Sequence, residues 1–160
     1  MQDHHYRNYD VYFYGDSILI IVTLDPEIVT HWITDVEFDS DSTIPRYLPG
    51  IVGVEIKADV EKLERDHGLI VSYSVDLKEL AATAYEAFGL VYQIRKNVGL
   101  KELCSVVLLK EMVKPAHITR SRWDYRFLNE EQVEYACIDA FVCFEIEKRL
   151  NASGYGCNWL

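Results

Sequence analysis

Tyr135 and Asp139 stand four residues apart in the run Asn129-Glu-Glu-Gln-Val-Glu-Tyr-Ala-Cys-Ile-Asp-Ala-Phe-Val-Cys-Phe-Glu-Ile-Glu-Lys-Arg-Leu150. Four residues is about one helical turn, so the phenol and the carboxylate project from the same side. Val142 and Ile146 continue that stripe, which points the Asp139 carboxylate inward. An inward carboxylate is costly unless it meets a cation, a metal or several hydrogen-bond donors. The chemistry to expect is therefore a carboxylate engaged with positive charge beside a hydroxyl. A capped aspartate, or one facing water, is the plain alternative for a lone Asp on a helix.

The helix that must carry this pair is strongly signalled. Asn129 is a good N-cap, Glu130 and Glu131 suit the positive end of the helix dipole, and Gln132 takes the capping-box position. Val133, Ala136, Cys137, Ala140 and Phe144 recur at helical spacing and predict one long buried helix. Upstream, Tyr12–Tyr14 and Ile18–Val22 flank Gly15-Asp16-Ser17 and read as a β-hairpin. A helix is expected from about Pro26 to Phe38 and a strand from about Ile51 to Ile56. Another helix runs from Asp59 to His67 and stops at Gly68, a residue suited to a left-handed helix end. Val71–Val75 reads as a short strand, while Leu77–Phe88, ended by Gly89, and Leu100–Glu111 read as amphipathic helices. Pro115 breaks the chain before a basic loop, and the tail Gly154–Leu160 has no helical pattern.

Tyr135-Ala-Cys-Ile-Asp-Ala-Phe141, preceded by Trp123-Asp-Tyr125 and Leu128-Asn-Glu-Glu-Gln-Val133, resembles the third motif of the DEDDy (DnaQ-like) 3′–5′ exonucleases. Within that family it resembles in particular the Werner-syndrome-type branch and its small plant relatives. Ile51-Val-Gly-Val-Glu-Ile-Lys-Ala-Asp-Val-Glu-Lys-Leu63, followed by Asp66-His-Gly-Leu69, resembles the second motif, with Asp59 at the acidic position. Val75-Asp-Leu-Lys-Glu-Leu-Ala-Ala82, Gly99-Leu-Lys-Glu-Leu-Cys104 and Tyr12-Phe-Tyr-Gly-Asp16 extend the likeness over roughly residues 10–150. The resemblance implies one α/β domain over residues 1–160, of ribonuclease H-like (DnaQ-like exonuclease) fold. It implies Mg²⁺ or Mn²⁺ held by Asp59 and Asp139, with Tyr135 orienting the attacking water. The partner it implies is a nucleic-acid 3′ end, DNA or RNA.

The family's first motif, an Asp-x-Glu on a central strand, has no counterpart. Between the first helix and the second-motif strand lie only Asp39-Ser-Asp-Ser-Thr-Ile-Pro-Arg-Tyr-Leu-Pro-Gly50. That is too short for a three-strand meander with strands of about five or six residues. The expectation is a reduced central sheet that lacks two of the metal-binding carboxylates. Asp35-Val-Glu37 spells Asp-x-Glu but falls on the first helix, where residues two apart face different ways. Glu55-Ile-Lys57 would set a lysine against the cation. Two-metal hydrolysis holds two ions roughly 4 Å apart, and hard cations need oxygen ligands. Two aspartates cannot easily anchor such a pair. An inactive relative that binds nucleic acid, or a subunit paired with copies of itself or intact paralogues, are the alternatives. Exposed sheet edges and apolar helix faces would motivate the latter.

Composition bounds the partners further. The 160 residues suffice for a single domain with a real core. The net charge of −10 opposes avid nonspecific nucleic-acid binding, yet it is unevenly spread. Residues 91–126 carry +5, against −11 before them and −4 after. Lys114, Arg120, Arg122, Trp123 and Arg126 interleave cations and aromatics in one loop, as phosphate contact and base stacking require. A solvated loop balancing an acidic body is the plain alternative, and bound divalent ions would offset carboxylates around a site. Cys104, Cys137, Cys143 and Cys157 have no Cys-x-x-Cys spacing, which suits a reducing compartment, cytosol or nucleus, without zinc. His4 and His5 adjoin in the tail, where a metal role is not expected. No run of eighteen apolar residues predicts a membrane span, and the first residues carry no signal-peptide core.

Overall fold

Tyr14 and Gly15 make the first turn of the chain with positive φ at both residues, 49° and 90°. Two such residues give a tight loop whose twist matches that of the flanking strands. In this computed structural model, which describes residues 6–36, 47–48, 50–87 and 98–152, they join β1 (Tyr6–Phe13) to β2 (Asp16–Thr23). The antiparallel register runs from Phe13 opposite Asp16 to Tyr6 opposite Thr23. The turn thus sits one residue earlier than the expected Gly15-Asp16-Ser17, because the left-handed conformations fall on Tyr14 and Gly15. Val11 and Phe13 alternate inward, and Phe13 joins the core.

Helix α1 (Pro26–Val36) follows at once. Asp25 Oδ1 accepts the Glu27 N–H at 2.9 Å, and Pro26 takes the first helical position, where no N–H is needed. Phe38, Glu37, the Asp35 side chain and most of the 39–50 connection lie outside the described residues. So do His4, His5, Gly89, Cys157 and the tail.

The remaining strands are short. β3 (Tyr47–Leu48), not anticipated from sequence, pairs parallel with β5 (Ile70–Val71), and β4 (Ile51–Gly53) pairs parallel with β6 (Ser74–Asp76). Among the described residues the strands thus form three two-stranded sheets, a reduced α/β arrangement as expected. β4 stops at Gly53 rather than Ile56 because Glu55 turns the chain with φ 58°. Its N–H donates to Asp76 Oδ2 at 2.9 Å, while Asp76 Oδ1 accepts the Lys78 N–H at 2.9 Å. One carboxylate therefore ends a strand and caps the helix after the next one. The expected Val71–Val75 strand divides into β5 and β6 because its two ends pair with different partners.

α2 (Lys57–His67) starts two residues before Asp59 and ends on Gly68, φ 65°, whose N–H donates to Glu64 O at 2.9 Å. α3 (Leu77–Ala87) supplies Leu77, Ala81 and Ala84 to the core. The expected Leu100–Glu111 helix is shorter. α4 (Leu100–Leu103) widens into a π-helical turn, Cys104–Leu108, and Leu109 ends it with φ 55°. A left-handed residue cannot continue a right-handed helix. The basic stretch is not all loop, since α5 (Ala116–Thr119) forms directly after Pro115.

α6 (Glu130–Ala152) lies against the hairpin, β4, α3, α5 and the π-helical turn. Val142, Ile146 and Leu150 pack with Leu77, Leu103, Cys104 and Met112 in the core. Val133 and Cys137 are buried as expected, but Ala136, Ala140 and Phe144 are exposed. Residues two apart lie about 200° around a helix. The helix therefore cannot bury Val142 and Ile146 together with Ala140 and Phe144. No described helix is long and apolar enough to cross a membrane.

Candidate functional site

The start of α6 fixes the site. Asn129 Oδ1 accepts the Gln132 N–H at 2.8 Å, and Gln132 Oε1 accepts the Asn129 N–H at 3.0 Å. This is a reciprocal capping box. Gln132 is buried, and its Nε2 donates onward to Ser121 Oγ at 2.9 Å and to Arg122 O at 3.2 Å. The cap is legible in sequence, but its second task is not. It ties the end of the basic stretch to the helix that carries Tyr135 and Asp139.

Those two residues share a half-buried face. The Lys114 ammonium approaches Asp139 to 3.0 Å at Oδ1 and 3.3 Å at Oδ2, and it stands 5.5 Å from the Tyr135 ring centroid. Trp123 lies beside Tyr135 with ring centroids 5.9 Å apart. Burial alone would lower the Lys114 pKa. Hydrogen bonding and charge from Asp139, then from Tyr135, outweigh it and leave the ammonium above the usual lysine range. Cys143, one turn beyond Asp139, is pushed up to about 11 by burial and then by the Asp139 charge, with Lys114 opposing. The structure thus gathers Lys114, Trp123, Tyr135 and Asp139 into one cluster.

The other expected residues are dispersed. Arg122 clamps Asp124 at 2.9 and 3.2 Å and lies 4.6 Å from the Tyr125 ring centroid. Arg126 lies 5.6 Å from the Phe127 ring centroid. Arg120 is exposed at the end of α5. Asp59 is exposed in the first turn of α2, a helix that packs on β5 and β6. Among the described residues no three His, Cys, Asp or Glu side chains gather as metal ligands. Asp139 faces the Lys114 ammonium, hydrogen-bonded to it through Oδ2, while its Oδ1 is buried without a hydrogen-bond partner among the described residues. As arranged, the described residues do not assemble the oxygen ligands that a pair of hard cations needs.

Sequence reasoning missed the hairpin's part. Tyr6 and Arg7 of β1, with the connection into α1, face the 123–128 loop across a groove of about 620 Å³. The Tyr-Arg pairing in β1 was a signal, but nothing local relates it to residues so distant in sequence.

The sequence model described as 3′–5′ exonuclease matches residues 19–154. An Arabidopsis thaliana 3′–5′ exonuclease is 28% identical over 137 residues, covering 86% of this chain and 41% of that protein. The Homo sapiens exonuclease 3′–5′ domain-containing protein 2 is 34% identical over 108 residues, 62% of this chain and 17% of that protein. The Arabidopsis RISC-interacting clearing 3′–5′ exoribonuclease 1 is 29% identical over 99 residues, 62% of this chain and 46% of that protein. The chain spans less than half the length of each of these relatives. A crystal structure of the EXD2 exonuclease domain soaked in Mn and GMP is 32% identical, covers 64% of this chain and 49% of that one, and superposes with a TM-score of 0.31.

Proposed function

Because this chain belongs to the 3′–5′ exonuclease family, we propose that it binds nucleic-acid 3′ ends and does not hydrolyse them unaided. One observation carries this reading: the Lys114 ammonium at 3.0 Å from Asp139 Oδ1. The third-motif carboxylate is neutralised by the chain's own cation, so the face built on it needs no metal to accept a phosphate. Trp123, beside Tyr135 and partly exposed, offers a surface on which a terminal base stacks. Arg120 and Arg126 have no carboxylate within ion-pair distance among the described residues, so both are available to phosphates. Buried free thiols at Cys104, Cys137 and Cys143 suit a reducing compartment, the cytosol or nucleus.

A second reading is hydrolysis completed by another chain. Tyr135 and Asp139 keep their third-motif spacing, and Asp59 is exposed without a cation partner among the described residues. Asp59 and Asp139 would then hold Mg²⁺ or Mn²⁺, with further acids from a copy of this chain or an intact paralogue. Such ions activate water and stabilise the leaving oxygen. For this chain the requirement is that Lys114 release Asp139.

Incubation with a 5′-labelled single strand and a recessed duplex, in Mg²⁺ and then Mn²⁺, tests both. A shifted but unshortened strand is the expected result. A ladder receding from the 3′ end, absent with EDTA and in Asp139→Ala, would overturn it in favour of assisted hydrolysis. Neither shift nor ladder from folded protein would remove both readings.

A further inference from the structure

We infer that the groove between the start of the hairpin and the 123–128 loop is the entry track for a single strand, with Arg7 as a phosphate contact. This rests on the binding reading above and adds to it a site and a residue from the opposite end of the chain. The groove is lined by Tyr6, Arg7, Trp123, Tyr125, Arg126 and Phe127, among others. The Arg7 and Arg126 guanidiniums both lie near the Phe127 ring, 5.9 and 5.6 Å from its centroid. Two cations are thus drawn to one ring from distant segments, and neither has an ion-pair partner among the described residues. Each guanidinium keeps donors for phosphate oxygens while it rests on the ring. Asp25 borders the groove, but its Oδ1 is engaged by the Glu27 N–H at the start of α1.

The aromatic lining argues for unpaired bases. Tyr6 is 44% exposed, Tyr125 59% and Phe127 64%, so these rings are not consumed by the core. Rings beside cations along a groove are the arrangement that stacks bases while the backbone is held by charge. Bases locked in a duplex cannot offer their faces in this way. Trp123 lines the groove and stands 5.9 Å from Tyr135. A strand leaving the groove therefore arrives at the Lys114–Asp139 pair.

Fluorescence anisotropy with labelled oligothymidylate and oligouridylate tests this on wild type, Arg7→Ala, Phe127→Ala and Lys57→Ala. Lys57 is exposed on α2 and removes the same charge elsewhere. Arg7→Ala and Phe127→Ala should each weaken binding about fivefold to tenfold with unchanged melting temperature, and Lys57→Ala should not. Arg7→Ala should also flatten the salt dependence by about 0.7 in log–log slope, the loss of one single-strand phosphate contact. Should Phe127→Ala lower the melting temperature, the Arg7→Ala slope decides. If wild type binds while Arg7→Ala matches Lys57→Ala, the groove assignment fails and the binding reading stands. If wild type binds neither strand, both fall. Tighter capture of polyglutamate than of either strand would make the groove a site for acidic peptide and overturn the inference.

Discussion

Lys114 joins the segment after the π-helical turn to the middle of α6 by setting its ammonium 3.0 Å from Asp139 Oδ1. Both side chains are mostly shielded from water. Removing one partner leaves the other charge poorly compensated. Lys114→Met should therefore cost about 1–2 kcal/mol in urea unfolding at neutral pH. Adding Asp139→Asn to it should restore much of that loss, because the orphaned charge goes with it. A double mutant no better than the single one would mean that Lys114 acts through packing of its aliphatic stem.

Gln132 couples helix start to basic stretch through Ser121 Oγ and Arg122 O. Gln132→Leu keeps the bulk but leaves the Asn129 N–H without its acceptor and takes the Gln132 donor from Ser121 Oγ and Arg122 O. A loss of about 1–2 kcal/mol is expected from cap and buried hydrogen bonds together. Amides of 121–126 should exchange faster than in wild type, and binding to single strands should weaken.

The pH dependence should appear on the alkaline side. The Cys143 thiol is raised to about 11 and the Lys114 ammonium is raised as well. A group whose folded pKa lies above its unfolded value contributes stability that is complete below the unfolded value. That contribution is lost as pH climbs through the folded one. Thermal melts should thus hold level up to about pH 9 and fall toward pH 11, and Cys143→Ala should flatten part of the decline. In the folded protein Cys143 should resist iodoacetamide at pH 8, and denaturant should expose it.

Gly15→Ala isolates the cost of the turn. Gly15 has φ +90° and nothing within 4 Å of an added Cβ, so the penalty is backbone strain alone. About 1 kcal/mol is expected in equilibrium unfolding. The neighbouring Tyr14 hydroxyl accepts the Glu111 N–H at 2.8 Å. Loss of turn geometry should therefore also raise exchange at Glu111.

What was legible in the sequence was what is local. The Asn129–Gln132 cap, the shared side of Tyr135 and Asp139, and the stop at Gly68 each depend on residues three or four apart. Motif likeness carried the α/β, ribonuclease H-like fold class, in agreement with the family match. The Lys114–Asp139 pair and the Arg7–Phe127 contact were not legible, because tertiary packing brings their partners together. α6 carries two apolar stripes, and periodicity admits both. Packing buries Val142 and Ile146 and leaves Ala140 and Phe144 outside. Strands of two or three residues are too short for alternation to reveal.

α6 touches the hairpin, β4, α3, α5 and the π-helical turn, whereas no described strand belongs to a sheet wider than two. Among the described residues mechanical continuity therefore passes through a helix and its side chains rather than through a hydrogen-bonded ladder. Its cooperative unit is a spoked one. Amides near Val142 and Ile146 should open only with the whole molecule, while each strand pair detaches on its own.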